Sequence, residues 1–261
     1  MTKLSIVTAT YNRVNELKKN ILSVANQSLK DKEHIIIDNL SNDGTDELIN
    51  DYSKKADYPI IYIREKDSGP YDALNKGIKI SNGEWVHTLH SDDCYYNNEN
   101  LEVILNGDVE NIDILACAIL VKDTGSLYSE NSLWIPKYND KINHYGFPHT
   151  GMIIRKSFYE SNGYYNTNFK IISDAIFVIE NMPKAKYFII ETPLVIMDDK
   201  GISNKISLRR TYERLICTIF YHKFPLGYKI KTVFLVFYWD IIMLLKLIKN
   251  KLKKKTIGHG N

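Results

Sequence analysis

Two adjacent carboxylates, Asp92 and Asp93, combine a residue type and a spacing that are suited to binding a cation. They follow a short apolar run that predicts a strand over residues 85–89, and open α/β sheets bind ligands beyond the carboxyl ends of their strands. Neighbouring like charges repel, and a hard divalent ion such as Mg²⁺ or Mn²⁺, completed by substrate phosphates, relieves that repulsion. The pair therefore predicts a metal site at the rim of a sheet. Ser91-Asp92-Asp93 also fits an ordinary turn or helix cap.

Similar polar side chains follow the other predicted strands of the amino-terminal half. Tyr11 offers a ring on which a base can stack, and Asp38 can accept a hydrogen bond from a base or a ribose. Asp67 and Asp72 flank a Gly-Pro turn at a predicted helix start, where backbone N–H groups point outward. Their recurrence favours a nucleotide site. Each segment alone also fits a turn or the entry to a helix.

A mainly parallel sheet is needed to bring these side chains to one edge. Apolar and β-branched runs predict strands over residues 4–9, 34–37, 59–63 and 85–89, and helices are predicted to begin near Asn15, Thr45 and Tyr71. Strands separated by helical stretches of about 10–15 residues predict βαβ units with their polar loops on one side. Neither G-x-G-x-x-G nor G-x-x-x-x-G-K-[ST] occurs, which argues against dinucleotide oxidoreductases and P-loop phosphotransferases.

Composition and charge limit the classes of function further. The 261 residues are 44% hydrophobic and 25% charged, enough for one large α/β domain with an appendage. Three widely separated cysteines without metal-ligand spacing predict reduced thiols in a cytoplasmic protein, and the residues after Met1 predict a strand rather than a signal peptide. Residues 223–261 carry a net charge of +8 and the remaining 222 residues −5. An acidic body argues against a nucleic-acid binder.

Four segments, in this order, resemble the motifs of the family-2 glycosyltransferases of GT-A fold. They are SIVTATYNR at 5–13, IDNLSNDGT at 37–45, EKDSGPYDALNKG at 65–77 and SDD at 91–93. The resemblance covers about residues 3–205 and implies an α/β fold, a mainly parallel mixed sheet flanked by helices. It implies that a nucleotide-diphosphate sugar is bound by Thr8, Thr10, Tyr11, Arg13, Asp38, Asn39, Asp67, Asp72 and Asp92.

Within this resemblance the acidic motif has two separate roles. Asp92 is expected to lie near the ribose and Asp93 to hold the metal. Two positions depart from the family pattern: Asn39 stands where a second acid is common, which loosens the inference to uracil, and His90 stands where Asp or Asn is common. Neither departure changes the metal role implied for Asp93.

The second half of the resemblance supplies the acceptor side. Residues 112–121 predict a further core strand, and the aromatic stretch 128–145 is expected to be an irregular loop over the site. His149 precedes another predicted strand. A lone histidine is more often packed or exposed than catalytic, but the resemblance implies a place for it near the phosphates or the acceptor. Residues 199–203 resemble a glycine-serine loop that closes over the site, and they fit a plain turn equally well.

Asp174 is the carboxylate that the resemblance assigns to chemistry. Read alone, Ser173-Asp174 is a good helix cap. The resemblance implies instead that Asp174 is the base that takes the proton of an acceptor hydroxyl as it attacks the anomeric carbon. The metal at Asp93 would neutralise charge on the leaving nucleoside diphosphate. One base and no enzyme nucleophile imply a single displacement with inversion.

The carboxyl-terminal tail suggests where the protein works. Residues 232–248 are nearly all apolar, but Asp240 and Lys246 interrupt them, and a spanning helix needs about 20 apolar residues. We therefore expect a helix in the membrane interface, with lysines of residues 229–255 attracted to anionic lipid at the inner face of the cell membrane. The alternative is a helix packed on the catalytic domain or on a partner subunit.

Together these inferences predict a metal-dependent, inverting glycosyltransferase of bacterial surface-polysaccharide assembly. It would use Mg²⁺ or Mn²⁺ and transfer a sugar from a nucleotide diphosphate, with UDP the expected nucleotide, to a carbohydrate or lipid-linked acceptor. The predicted organisation is a catalytic domain over 1–205, divided into a nucleotide half (1–110) and an acceptor half (111–205), and a helical extension over 206–261. The alternatives are a sugar-phosphate nucleotidyltransferase and a non-catalytic sugar-nucleotide-binding or partner subunit.

Overall fold

The computed structural model of this chain describes residues 2–122, 132–139, 144–198, 207–221, 226–238 and 241–242. Three of the features predicted above therefore lie outside the described residues in whole or in part. They are the aromatic stretch 128–145 in part, the glycine-serine loop at 199–203, and most of the apolar and lysine-rich tail. The domain boundary at residue 205 also falls outside them and stays a prediction.

The amino-terminal half is built of βαβ units, as predicted. Its strands and helices are β1 (Leu4–Thr10), α1 (Val14–Ala25), β2 (Lys32–Asp38), α2 (Thr45–Lys55), β3 (Ile60–Arg64), α3 (Pro70–Ile80) and β4 (Trp85–Thr88). The four strands are parallel and lie in the order β3-β2-β1-β4. Thr10 pairs with Asp38, so the loops after β1 and β2 leave the sheet side by side.

The second half extends this sheet with strands of both directions. It contains β5 (Cys94–Tyr95), α4 (Asn100–Leu105), β6 (Ile114–Lys122), β7 (Ser132–Trp134), β8 (Lys137–Asn139), β9 (His144–Gly146), β10 (Met152–Arg155), α5 (Lys156–Asn162), α6 (Ser173–Asn181) and β11 (Tyr187–Asp198). β10 lies antiparallel between β4 and β6, and β11 is parallel to β6. The result is the predicted mainly parallel mixed sheet flanked by helices.

Apolar side chains cover both faces of this sheet. One cluster contains Leu17, Ile36 and Trp85, and the other contains Val7, Leu74 and Ile154. Burial on both faces explains why the central parallel strands read as continuous apolar runs. Gly77 lets α3 approach closely, because a Cβ at this position would lie 2.3 Å from Cγ1 of Val7.

Three local predictions were wrong. The stretch 128–145 is not irregular where it is described: β7 pairs with β6, and β8 pairs with β9. Helix α1 begins at Val14, and its first N–H donates to Oδ2 of Asp43 in the next loop at 2.9 Å, so Asn15 is not its cap. Thr45 is the first residue of α2 rather than its cap, which is Gly44 with φ 93°.

The carboxyl-terminal extension is helical where it is described. α7 (Leu208–Ile216) continues into a π-helical turn, Cys217–Tyr221, and residues 226–238 are helical. Cys217 packs with Phe169 and Ile176, which places the extension against α6. In the portions of the chain that are described, no helix has both the length and the apolar character needed to cross a membrane.

Candidate active site

The loops that follow β1 and β2 are tied together by polar side chains. Asp38 is completely buried and accepts hydrogen bonds from the backbone N–H of Ser41 (3.1 Å) and the hydroxyl of Tyr62 (3.0 Å). The hydroxyl of Ser41 in turn accepts from the backbone N–H of Asn12 at 2.8 Å. Asp38 thus forms the expected turn, and that turn holds the loop after β2 against the loop after β1.

Two non-glycine residues in these loops have positive φ, Asn12 at 49° and Leu40 at 58°. Asparagine tolerates this conformation, but leucine rarely adopts it, and Leu40 is also exposed. Strained backbone of this kind clusters at ligand sites. The positive φ of Leu40 was not predicted, because nothing in the type or spacing of this residue indicates a left-handed conformation.

The exposed ring of Tyr11 and the ion pair of Arg13 line the same edge. Tyr11 is 56% exposed and free to meet a planar group. Nη1 of Arg13 lies 2.7 Å from Oδ2 of Asp92, so the loop after β1 is joined to the turn after β4. The structure therefore joins Arg13 to Asp92, and it places Tyr11 and Asp38 at the neighbouring ends of β1 and β2.

Two of the predicted threonines lie deeper. Thr8 is in the interior of β1 and fully buried, with its hydroxyl 3.0 Å from Nε2 of His34. This contact makes Thr8 part of the framework beneath the loops. Thr10 ends β1, and its buried hydroxyl has no hydrogen-bond partner. An unpartnered hydroxyl at the end of the strand is available to a ligand that displaces the side chains above it.

Asn39, Asp67 and Asp72 order the loop before α3. Oδ1 of Asn39 accepts from the backbone N–H of Asp67 at 2.9 Å, and Oδ1 of Asp67 accepts from Gly69 N–H at 2.8 Å. Oδ2 of Asp72 accepts from Ser68 N–H at 2.8 Å, which lowers the pKa of Asp72, whereas burial raises the pKa of Asp67. Each of these side chains therefore shapes the loop that faces the site.

Asp93 is more enclosed than the rim position predicted for it. Its side chain is buried, with 2% of the residue exposed, because later elements cover it: Thr150 donates its hydroxyl to Oδ2 at 2.7 Å, and Asp198 N–H lies 3.4 Å from Oδ1. Burial and the neighbouring charge of Asp92 raise the pKa of Asp93 to about 7, while His90 opposes them.

The turn of Asp92 and Asp93 is held by α1. The backbone N–H of Asp93 donates to the carbonyl of His90 at 3.0 Å, so the segment is a turn, as one of the two sequence interpretations required. Nδ2 of the buried Asn20 donates to the carbonyls of His90 (2.9 Å) and Asp93 (3.1 Å). Asn20 was missed from the sequence, because it looked like one polar residue of an amphipathic helix.

The donor set fits a cation that takes most of its ligands from a substrate. In the described part of the chain, Asp92 is paired with Arg13, while no lysine or arginine pairs with Asp93. The described residues contain no group of three or more His, Cys, Asp or Glu side chains able to hold a metal. A carboxylate oxygen with only one weak contact, at 3.4 Å, together with a phosphate-bearing ligand suits Mg²⁺ or Mn²⁺, which keep several non-protein ligands.

A row of aromatic rings leads from this turn to the acceptor half. The rings of His90 and His149 have centroids 5.1 Å apart, and His149 contacts Tyr165 at 5.4 Å. Nε2 of His149 lies 3.0 Å from the hydroxyl of Thr88, and burial lowers the pKa of His149 well below 6.5, so the ring is neutral at pH 7. His149 thus lies between the two halves, on the side predicted for it.

Asp174 lies at the far end of that row. It is the second residue of α6, whose cap position is Ile172, and it makes no side-chain cap, so the simple helix-cap interpretation is wrong. Oδ1 of Asp174 accepts from the hydroxyl of Tyr71 at 2.7 Å. Burial raises the pKa of Asp174, and the Tyr71 bond opposes that rise. Tyr71 belongs to a motif recognised in the sequence, but its role required the contact to be seen.

A series of side-chain contacts joins the two acidic groups. The ring of His90 contacts His149, His149 contacts Tyr165, and the hydroxyl of Tyr71 donates to Asp174. Tyr71 contacts Tyr165 with centroids 5.5 Å apart, which closes the ring row between them. A different cleft, of about 330 Å³, lies at the opposite end of β1 and β4, where Glu84 pairs with both Lys3 and Arg155.

Comparison with known proteins finds relatives of this chain. The model of glycosyl transferase family 2 matches residues 5–167. A Rickettsia bellii protein named as an uncharacterized glycosyltransferase is 40% identical over 111 residues, 42% of this chain and 15% of that protein. A PGL/p-HBAD biosynthesis glycosyltransferase of Mycobacterium bovis is 25% identical over 176 residues, 65% of this chain and 66% of that protein. This chain therefore spans less than two thirds of either relative.

Solved structures share the fold at low sequence identity. S. aureus TarS in complex with UDP-GlcNAc superposes with a TM-score of 0.65 at 18% identity, over 88% of this chain and 70% of that one. The mannosyltransferase PcManGT from Pyrobaculum calidifontis, in complex with GDP-Man and Mn²⁺, gives 0.60 at 15% identity, over 91% and 69%. At these identities the likeness establishes the GT-A fold.

Proposed function

This chain belongs to glycosyl transferase family 2, and from that membership we propose that it is an inverting, metal-dependent transferase that moves a sugar from UDP to a carbohydrate or lipid-linked acceptor. The observation that carries the proposal is the row of contacts from the Asp92-Asp93 turn to Asp174, which runs from His90 through His149 and Tyr165 to the Tyr71 hydroxyl. Assembly of a surface polysaccharide is the proposed setting.

The loops after β1 and β2 would bind the nucleotide. The Tyr11 ring is exposed, Thr10 holds an unpartnered hydroxyl, and Asp38 lies in a turn fixed by Ser41. A base stacked on Tyr11 would lie above that turn, with the ribose toward Asp92. The UDP-GlcNAc complex of TarS supports UDP, whereas the GDP-Man complex of PcManGT makes GDP the base to test against it.

Asp93 would hold the divalent cation, with donor phosphates completing its shell. A bound Mg²⁺ or Mn²⁺ would supply positive charge where negative charge develops on the leaving diphosphate. Thr150 orients the carboxylate through Oδ2 and leaves Oδ1 with only the weak contact at 3.4 Å. Arg13 neutralises Asp92 at the same time, so the pair does not present two unopposed charges.

Asp174 would take the acceptor proton. Burial raises its pKa above that of an ordinary aspartate, which makes the ionised carboxylate a stronger base. The hydroxyl of Tyr71 fixes Oδ1, leaving Oδ2 to receive the proton. Because His149 is buried and neutral, it would contact substrate as a polar group without adding charge. No covalent intermediate is required, so the sugar would invert in one displacement.

The carboxyl-terminal helices would bring the enzyme to an anionic membrane surface. Leu226 is 75% exposed and Phe234 is 70% exposed, and both lie in the helical residues 226–238, which also contain Lys229 and Lys231. Exposed apolar side chains with a net charge of +8 over residues 223–261 suit an interface rich in anionic lipid. A lipid-linked acceptor would lie on the same surface.

Vesicle flotation tests the membrane proposal. The full chain should float with vesicles of phosphatidylcholine and phosphatidylglycerol and remain free of pure phosphatidylcholine, and Phe234→Glu should reduce flotation about tenfold. Val103→Glu, a change at an exposed apolar residue of α4, is the matched control. Equal flotation of both variants, or self-association in place of flotation, would show that this helix covers a protein surface instead.

A donor screen tests the transferase proposal. Thermal unfolding with a panel of UDP- and GDP-sugars, each with and without Mn²⁺, should show stabilisation by one donor that grows with the metal, because a ligand of the folded state raises the unfolding temperature. Asp93→Ala should abolish the part that depends on Mn²⁺. A donor that stabilises equally without the metal would contradict the role of Asp93.

Release of nucleotide separates the enzyme from a non-catalytic binding subunit. The wild-type protein should release UDP from the donor found in the screen, and Asp174→Asn should bind that donor but release almost none. A nucleotidyltransferase would instead form pyrophosphate or a sugar phosphate, which the same reaction mixture reveals. Binding without any release by the wild type would favour the partner subunit.

A further inference from the structure

The helical extension contributes one buried carboxylate to the body of the protein. Glu213 lies near the end of α7, a helix whose other face is open to solvent, yet it is only 2% exposed. A carboxylate is rarely buried to this extent unless its hydrogen bonds are satisfied. Its partners therefore show what it is there to hold.

Glu213 binds two consecutive backbone amides of the acceptor half. The N–H of Lys170 lies 3.0 Å from Oε1 and 3.1 Å from Oε2, and the N–H of Ile171 donates to Oε2 at 2.9 Å. Nε of Arg209, one turn earlier on α7, donates to Oε1 at 2.8 Å. The bonds to the amides of Lys170 and Ile171 span 43 and 42 residues of sequence, so they fix the extension against the loop before α6.

The amides held by Glu213 lie next to the proposed base. The carbonyl oxygen of Ile171 is 3.0 Å from the hydroxyl of Tyr71, the same hydroxyl that lies 2.7 Å from Oδ1 of Asp174. Ile171, whose N–H Glu213 binds, thus provides through its own carbonyl the second contact of the tyrosine that orients Asp174. Movement of Ile171 would release the Tyr71 hydroxyl from one of its two partners.

The side chain of Lys170 links the same segment to the loop before α3. Its ammonium donates to the carbonyl of Thr167 at 2.8 Å and lies 3.4 Å from the hydroxyl of Ser68. Its charge also opposes the rise that burial causes in the pKa of Asp67, and at Asp72 it adds to the lowering caused first by the Ser68 N–H. The segment held by Glu213 therefore touches both the base and the loop before α3.

We propose that Glu213 is a positioning residue through which the helical extension holds Tyr71 and Asp174 in their working geometry. This inference rests on the proposed transferase function, because it assigns the base of that reaction to Asp174. Glu213 touches no reacting atom in this scheme. It acts by keeping the peptide of Ile171 in place, so the extension becomes part of the active site's support rather than an appendage.

The experiment compares Glu213 with a second buried carboxylate that performs a similar task elsewhere. Glu33, near the start of β2, is equally buried and accepts from the backbone N–H of Asn82 and the hydroxyl of Ser5, at the end of the sheet away from the site. Glu213→Ala and Glu33→Ala should both lower stability. Only the first should disturb Asp174.

Hydrogen exchange measures the restraint without any substrate. Amides of residues 168–176 should exchange at least tenfold faster in Glu213→Ala than in the wild type, since local opening exposes amides that lose their acceptor. In Glu33→Ala their exchange rates should equal those of the wild type. Glu213→Gln, which keeps one acceptor oxygen, should restore part of the protection. Arg209→Ala, which leaves both amide bonds in place, should resemble the wild type. Unchanged exchange in Glu213→Ala would overturn the proposal.

Kinetics with the donor from the screen measures the consequence. Glu213→Ala should lower kcat for UDP release at least tenfold and change the donor KM less, because the segment it holds reaches the loop before α3 only through the 3.4 Å approach of Lys170 to Ser68. In the pH profile of kcat, the acid side should move to higher pH in this variant, because the bond from Tyr71 opposes the raised pKa of Asp174. The other titratable groups around that carboxyl are His90, Tyr165 and Cys217. A kcat equal to that of Glu33→Ala would overturn the proposal.

The two proposals fail in different ways. If the wild type releases nucleotide from no donor, the transferase function fails, while the exchange data still decide whether Glu213 holds the segment before α6. If the wild type is active and Glu213→Ala turns over normally despite faster exchange, the positioning role alone is wrong. Should the alanine variant fail to fold, the glutamine variant carries the same comparison.

Discussion

The donor half and the acceptor half of the site are supported in different ways. In the donor half, carboxylates bind groups close in sequence: Asp38 accepts from Ser41, and Asp72 accepts from Ser68. In the acceptor half, Asp174 depends on Tyr71, which lies 103 residues earlier, and on the segment held by Glu213. Local turns therefore order part of the donor half, beside longer bonds such as that of Arg13 to Asp92, whereas contacts between distant elements hold the proposed base of the acceptor half.

This difference indicates how each half should respond to change. A local turn loses one contact when one residue is replaced, so donor-side changes should alter affinity by moderate amounts. A base held by several distant elements should lose alignment when any of them moves, and a loss of alignment is felt in kcat. The predictions below test that division, beginning with the largest effect.

Replacement of the base should have the largest effect. Asp174→Asn keeps the shape of the side chain and removes its ability to take a proton, so kcat should fall about 10²–10⁴-fold. The Kd for UDP, measured by calorimetry, should stay within about twofold. Glu180→Gln, at an exposed acid of the same helix, is the control and should be fully active. Near-normal kcat in Asp174→Asn would show that Asp174 is not the base.

The pH dependence of the wild type should reflect the burial of Asp174. A general base must be ionised, so kcat should fall about tenfold per pH unit below its pKa. Because burial raises that pKa, the acid limb should lie above the range of an ordinary aspartate, about 3.9. Rates measured from about pH 4 to pH 9 show the limb, and a profile flat down to about pH 4 would contradict the assignment.

Removal of the Tyr71 hydroxyl should have an intermediate effect. Tyr71→Phe takes away a hydrogen bond to the ionised carboxylate, so kcat should fall about tenfold and the acid limb should shift upward. Tyr159→Phe is the matched control, because it removes a buried hydroxyl that contacts Tyr165 at 3.1 Å and leaves Asp174 untouched. A limb that moves equally in both variants would point to general loosening.

On the donor side, loss of the ion pair between loops should act on binding. Arg13→Gln leaves Asp92 unpaired beside Asp93, and the donor KM should rise about tenfold, near 1.4 kcal/mol, with kcat changed less. Lys30→Gln breaks an exposed pair with Asp57 and should change neither quantity. A fall in kcat without a rise in the donor KM would contradict the prediction that donor-side changes act on binding.

The smallest effect is expected at the start of α3. Asp72→Ala removes the acceptor for Ser68 N–H and should cost about 1 kcal/mol in the free energy of unfolding, measured by urea denaturation. The donor KM should rise only severalfold, since the loop keeps its contact between Asn39 and Asp67. A loss of all donor binding would mean that Asp72 touches the ligand directly.

Sequence patterns were sufficient for the parts of this fold that are buried on both faces. β1, β2 and β6 are continuous apolar runs, and their strand assignment was confirmed. The short strand β7 was missed, because Ser132–Trp134 is defined by pairing with β6 and not by its own composition. The position of Asp93 was misjudged for a similar reason, since Thr150 and Asp198 cover it from later elements.

The sequence by itself determined the alternation of strands and helices, the family and the carboxylates to examine, because hydrophobic periodicity and motif order are properties of neighbouring residues. Only the tertiary structure decided which groups orient them: Tyr71 on Asp174, Thr150 on Asp93, and Glu213 on the peptide before α6. These contacts join residues 42 to 103 positions apart. Hydrogen bonds need donor and acceptor within about 3 Å, and only the folded chain brings such distant groups that close.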